Sequence, residues 1–165
     1  MADISGIIDS MDHIRPDLIR SRELRTILVY DIFRRIEAEW LSKAITTAPP
    51  YYGEAIVAIA YDKGRILDEK YISPTRDAIL EYVLDKNLQH TILTDRDNSF
   101  IIYFSQFRDF FLYCGSTEFL KIAFPVSSET IKYQYFENLD LEAQRAPIEK
   151  DTFIGVWEKY SGTAL

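Results

Sequence analysis

Cys114 and His90 are the first residues to weigh, because a thiol within reach of an imidazole is the nucleophile and base of a cysteine hydrolase. Cys114, however, closes an aromatic run, and a thiol in apolar surroundings is inert. No serine stands in a GxSxG elbow, so the common serine nucleophile is absent too. None of the 6 glycines builds a GxGxxG or GxxxxGK loop in which backbone amides approach a phosphate. Cys114, His13 and His90 are too few for a structural zinc site. Asp95, Asp97 and Asn98 offer oxygens at alternate positions of a turn, but a calcium loop starting at Asp95 needs glycine and glutamate where Phe100 and Gln106 stand. The 26 acids form many accidental carboxylate pairs, so spacing alone does not argue for glycoside hydrolysis. The expectation is a protein without cofactor or metal that is not an enzyme.

Charge carries more information. The net charge is −7, spread as −1 over residues 1–53, −3 over 54–99 and −3 over 100–165. Such a surface repels phosphate backbones, disfavours nucleic acid and suits a basic protein partner. Glu137, Asp140, Glu142, Glu149 and Asp151 form an acidic tract with Arg145 and Lys150 among them. It reads as a solvated face or, more sharply, as a docking patch; the turn acids Asp95 and Asp97 could add to it.

Aromatic residues are the other candidates. Phe100 to Ser116 carries seven rings in seventeen residues, arranged as two strands joined through Gln106, Phe107 and Arg108. In a strand alternate side chains share a face. Phe100, Ile102 and Phe104, and likewise Phe110, Leu112 and Cys114, then form apolar sets suited to a core. The opposite sets contain Tyr103, Ser105, Asp109 and Tyr113, a mixture suited to a boundary, and tyrosine is a common interface residue. Tyr103, Phe107, Arg108, Asp109 and Tyr113 are therefore expected partner-binding residues, with Asp95, Asp97, Glu137, Asp140 and Glu142.

The elements that would position them follow from periodicity. Leu24, Leu28, Val29, Ile32, Phe33, Ile36 and Trp40 predict one long amphipathic helix, preceded by a short one from Ile4 to Met11 that breaks before Pro16. Ala48-Pro49-Pro50 and Gly53 mark a connection. Ala55 to Tyr61, the turn Asp62-Lys63-Gly64 and Arg65 to Ile72 read as a hairpin with a buried first strand and a half-exposed second. Ser73-Pro74 opens a helix ending near Asn87, His90 to Thr94 is a short strand, and Asp95 to Asn98 a turn. Thr117 to Phe124 predicts a helix closed before Pro125. Thr130 to Phe136 alternates as a strand, although Ile131, Tyr135 and Leu139 also fit helical spacing. Leu141 to Arg145 and Lys150 to Tyr160 read as helices, with Gly162 as a stop.

These elements predict an α+β fold: a single domain over residues 1–165, with N-terminal helices packed on a mainly antiparallel sheet and a C-terminal helix. A helical part, 1–48, precedes a sheet-containing part, 54–165. The single cysteine excludes an intrachain disulfide, and neither a secretory signal nor an apolar run of membrane-spanning length is seen, so a cytoplasmic monomer or homodimer is expected. The favoured function is a protein-binding module that neutralises a basic toxin or enzyme by direct binding. In size, acidity and element pattern the chain resembles the immunity proteins of bacterial toxin systems; these share no common motif, and the likeness is one of type. The alternatives are a small enzyme or ligand-binding domain with a cleft between the aromatic sheet and the helices, and an acidic secretion chaperone or adaptor that needs an exposed apolar groove.

Overall fold

A computed structural model describes residues 4–48, 55–108, 110–146 and 148–165, with Arg108 described in its backbone only. Of the residues singled out in the sequence, Pro49, Pro50, Gly53, Asp109 and the side chain of Arg108 lie outside the described set. Six strands, β1 (Arg25–Val29), β2 (Ile56–Asp62), β3 (Arg65–Ile72), β4 (His90–Thr94), β5 (Ile101–Phe104) and β6 (Phe111–Gly115), form one sheet in the order β1-β6-β5-β4-β2-β3. Every neighbouring pair is antiparallel.

Local chemistry explains most of these elements. The β2–β3 hairpin turns at Lys63 and Gly64, both at positive φ (49° and 69°), the conformation a two-residue hairpin loop needs to match strand twist. β2 is buried along nearly its whole length, whereas β3 forms a charged edge. Side chains set three helix starts: Thr75 Oγ1 accepts from the Ala78 N–H before α3 (Arg76–Asp85), Ser116 Oγ from Phe119 before α4 (Thr117–Ala123), and Ser127 Oγ from Thr130 before α5 (Ser128–Arg145).

Helices cover both faces. One face packs Ile27, Val29, Ala58, Leu93, Ile102, Phe104, Phe111 and Tyr113 against α2 (Arg35–Thr47), α3 and α4. The other packs Leu28, Ile59, Tyr61, Ile92, Ile101, Tyr103, Leu112 and Cys114 against the 3-10 turn Ile4–Gly6, α1 (Pro16–Ser21), α5 and α6 (Lys150–Ser161). The α+β class, the antiparallel sheet and the final helix are thus as the sequence predicts.

Four local expectations are corrected. The long helix from Leu24 is instead strand β1 followed by α2, because Thr26-Ile27-Leu28-Val29-Tyr30 is buried on both faces, and a doubly buried strand reads as a continuous apolar run with no alternation. The part spanning 1–48 is therefore not wholly helical: it supplies an edge strand to the sheet. Thr130 to Phe136 belongs to α5, whose buried residues Ile131, Tyr135 and Leu139 recur at helical spacing behind the Ser127 cap. Ile4 to Met11 forms only the 3-10 turn, because the Asp9 carboxylate accepts the Met11 and His13 amides and offers the backbone an alternative to helix.

Two glycines give opposite tests of this packing. A Cβ on Gly115 would sit 2.6 Å from Cδ1 of Phe119, a buried ring stacked on Phe100 at 5.1 Å. In α6, a Cβ on Gly155 would meet nothing within 4 Å. Gly115→Ala should lower the unfolding free energy by roughly 1–3 kcal/mol through overpacking, and Gly155→Ala should raise it by about 0.5–1 kcal/mol through helix propensity, both read by urea denaturation.

Candidate functional site

The aromatic hairpin does not form a surface. Tyr103 and Tyr113 are fully buried, on opposite faces of the sheet, which corrects their assignment to a partner surface. The two sets expected to share one core also divide: Phe104 pairs with Phe111 and Tyr103 with Leu112, so Phe100, Ile102 and Phe104 face one layer while Phe110, Leu112 and Cys114 face the other. Helices on both sides leave neither face to solvent. Among the described residues of the hairpin only Phe107 is exposed, at 65%, and its φ of 62° places a bulky residue in the left-handed region.

Cys114 and His90 do not meet. They belong to β6 and β4, which flank β5, and Cys114 opposes Ile101 whereas His90 follows the level of Phe104. His90 is level with Ser105, so four residues of strand rise, about 13 Å, separate it from the level of Cys114. Burial pushes the Cys114 thiol up, away from the reactive thiolate.

Around His90 lies a partly buried polar cluster that chemistry at the sheet could have used. Its ring is stacked between Tyr61 (5.3 Å) and Tyr103 (5.9 Å). The Gln106 N–H donates to His90 Nδ1 at 3.2 Å, so that nitrogen carries no proton and the Tyr103 hydroxyl, at 2.8 Å, donates to it as well. The Tyr61 hydroxyl donates to the Asp12 carbonyl and that of Tyr160 to the Ile14 carbonyl, at 2.6 and 2.8 Å. Lys159 bonds Asp9 at 2.5 Å. Burial opposes ionisation of Asp9, yet the bonds from Lys159, Met11 and His13 hold its carboxyl below the usual range. Burial pushes the Tyr61 and Tyr160 hydroxyls up, so both remain protonated donors. Together these bonds fasten the loop around Asp9 to Ile14 onto β2 and α6, and every hydroxyl in them is already engaged. The cluster acts as a lock.

Sequence reasoning marks part of a second region and misses the rest. Glu137 and Asp140 line a groove of about 610 Å³ along the outer side of α5, with Glu129, Lys132, Tyr133, Phe136 and Leu141. Glu142 lines an adjoining hollow of about 340 Å³ with Asp31, Ile32, Asn138, Leu141 and Arg145. Leu141 joins the two. Ile32, Tyr133 and Leu141 are 67%, 65% and 42% exposed, so the face is as apolar as it is charged. Its ions are largely paired: Arg34 with Asp31 at 3.1 Å, Arg145 with Glu142 at 3.8 Å, and Lys150 with Asp140. The Tyr133 hydroxyl donates to Glu137 at 3.1 Å. Setting Asp31, Glu129, Glu137, Asp140 and Glu142 against Arg34, Lys132, Arg145 and Lys150 leaves one net negative charge.

Asp95 and Asp97 stand apart, in the turn at the far end of the sheet. The Asp95 carboxylate accepts the Ser99 amide at 2.6 Å, and the Asp97 carbonyl accepts from Arg22 at 2.8 Å. Among the described residues no group of three or more His, Cys, Asp and Glu is placed to share a metal ion, and no helix is long and apolar enough to cross a membrane. Ile32 and Tyr133 escape sequence reasoning because each falls on an apolar period that predicts burial; only the assembled fold leaves them outside.

The chain matches no protein-family model, no curated protein and no solved structure. Its residues therefore have to be probed directly, and two buried groups allow it. His13 packs edge-on against Tyr103 and Phe110, and its Nδ1 has no partner among the described residues. Burial, with help from Lys159, pushes its pKa down to about 4. Because the folded value lies below the unfolded one, His13 contributes full stability above about pH 6.5 and loses it as pH falls toward 4. At about 1.4 kcal/mol per pKa unit this is roughly 3–4 kcal/mol, and His13→Phe should flatten the pH dependence of urea unfolding over that window. The buried Tyr113 hydroxyl likewise has no partner among the described residues. Tyr113→Phe should stabilise the protein by up to ~1 kcal/mol, whereas Tyr103→Phe, which removes a donor to His90, should cost about 1 kcal/mol; thermal unfolding compares the two.

Proposed function

We propose that this chain is a protein-binding module of the inhibitor or immunity type, which docks a basic partner on the outer face of α5 and the adjoining loop after β1. The observation that carries the reading is the run of Ile32, Tyr133, Phe136 and Leu141 along two connected hollows rimmed by carboxylates. Interface cores are apolar and aromatic, with charge at the rim, and this face has that composition. Its near-neutral local balance assigns affinity to the apolar residues. The overall charge of −7 supports the choice of a basic partner, because a charge of that size steers an encounter and is screened by salt.

Paired rim ions suit such a surface better than a bare acidic patch. A carboxylate already held by Arg34, Arg145 or Lys150 is positioned in advance, and exchange for a partner's cation costs little ordering. A cleft between sheet and helices, as a small enzyme or ligand-binding domain would need, finds no support in Tyr103 or Tyr113, which are packed within the core.

The test is capture of basic proteins from the native host on the immobilised chain, at low and moderate salt, followed by measurement of the purified pair. Binding should weaken as salt rises. Tyr133→Ala with Leu141→Ala should raise Kd by at least ~10-fold, the size expected of apolar anchors. Glu137→Lys should slow association with little change in dissociation, and Leu67→Ala, on exposed β3, should change neither rate. Capture indifferent to the Tyr133 and Leu141 substitutions would remove this face from consideration. A stable homodimer through the same residues would favour the adaptor reading.

A further inference from the structure

Among the described residues, the outer edge of β1 carries one backbone pair without a protein partner, between two positions that the fold has satisfied. In the β1–β6 pairing Thr26 opposes Cys114 and Leu28 opposes Leu112. Thr26 directs its N–H and C=O away from β6: the N–H donates to the Thr163 carbonyl at 2.9 Å, and the carbonyl accepts from the Leu165 N–H at 3.1 Å. Backbone direction alternates along a strand, so Leu28 faces the same way. Tyr30, two residues further, again presents its carbonyl outward, where Asn138 Nδ2 donates to it at 2.8 Å. For Leu28, between them, the described residues supply neither a donor nor an acceptor at this edge. A cavity of about 320 Å³ borders it, walled by Ile27, Ile131, Trp157 and Tyr160, with Lys132 and Ala164 at its mouth.

We propose that this edge is a strand-addition site that takes a short, extended, apolar segment of a partner protein. An N–H and C=O at a sheet edge without a protein partner are a template for a further strand, and an extended peptide presents the complementary acceptor and donor at ladder spacing. The aliphatic and aromatic walls select apolar side chains. The edge already accepts a strand, since Thr26 and Ala164 form a parallel bridge that ends one step before Leu28. From Thr26 to Tyr30 the edge runs about 13 Å, so the segment that fits is roughly three residues long. The volume lies near the lower end of the ~300–1,000 Å³ of ligand pockets. This site is separate from the outer groove of α5, although Glu129 and Lys132 border both, and it stands or falls independently of docking there.

The experiment is a titration of the full, ¹⁵N-labelled chain with two probes: the blocked tripeptide acetyl-Val-Leu-Val-methylamide, and the same peptide methylated on every backbone nitrogen. The expected result is a saturable shift centred on the Leu28 amide, at least ~10-fold weaker binding of the methylated peptide, which cannot donate, and loss of binding in Ala164→Trp, which fills the mouth from an exposed position. Ser161→Trp, also exposed at the cavity, repeats the test should the first variant fail to give a folded spectrum. In the free protein the Leu28 amide should exchange faster than those of Ile27 and Val29, which face β6. No shift at Leu28 up to millimolar peptide, equal binding of both peptides, or unchanged binding in the tryptophan variants would overturn the proposal. A concentration-dependent Leu28 shift with doubled mass would also overturn it, by assigning the edge to a second copy. Tyr133→Ala with Leu141→Ala should leave peptide binding intact, which separates this site from the α5 face.

Discussion

The pairing of Arg25–Val29 with Phe111–Gly115 is the contact on which the rest of the molecule depends. It joins segments far apart in the chain, so its closure entropy has to be met by the burial that follows. Ile27 and Val29 enter one core and Leu28 the other, which commits both layers at once. The same strand holds Thr163–Leu165 along its outer edge, and α5 and α6 pack against it. The cavity at Leu28 exists because β1 ends the sheet there.

Burial on both faces explains why so many rings carry so little surface chemistry. Four tyrosines of the second layer keep their hydroxyls engaged while their rings fill space: Tyr61, Tyr135 and Tyr160 donate to backbone carbonyls, and Tyr103 donates to His90. Aromatic residues thus act as core with a polar handle, tying loops and helices to the sheet at defined points. What is left for recognition is the outside of the covering helices and the edges of the sheet. On α5 that side is neither a pure charge run nor a clean apolar stripe, a mixture suited to contact with another protein.

Some of this was legible in the chain alone, where chemistry is local. The β2–β3 hairpin, the start of α4, the Asp95 to Asn98 turn and the alternation within β5 follow from turn residues, caps and period two. So does the placement of Glu137 and Asp140 near a surface. Beyond these, local signals were ambiguous: Thr26 to Tyr30 has the composition of a doubly buried strand and also of a helix stripe, and Ile131, Tyr133 and Tyr135 satisfy period two and, in part, period 3.6.

The amino-acid sequence by itself determined the α+β class, the charge of −7, the lack of nucleotide-loop and zinc-cluster motifs, and most of the short elements, because each rests on composition or on residues a few positions apart. Tertiary structure alone decided which strand ends the sheet, that Tyr103 and Tyr113 lie inside, that Ile32, Tyr133 and Leu141 lie outside, and that the Leu28 backbone, beside a cavity, has no edge partner among the described residues. The physical reason is common to all four. Burial and edge pairing depend on what a distant segment places opposite a residue, and no local pattern encodes that partner.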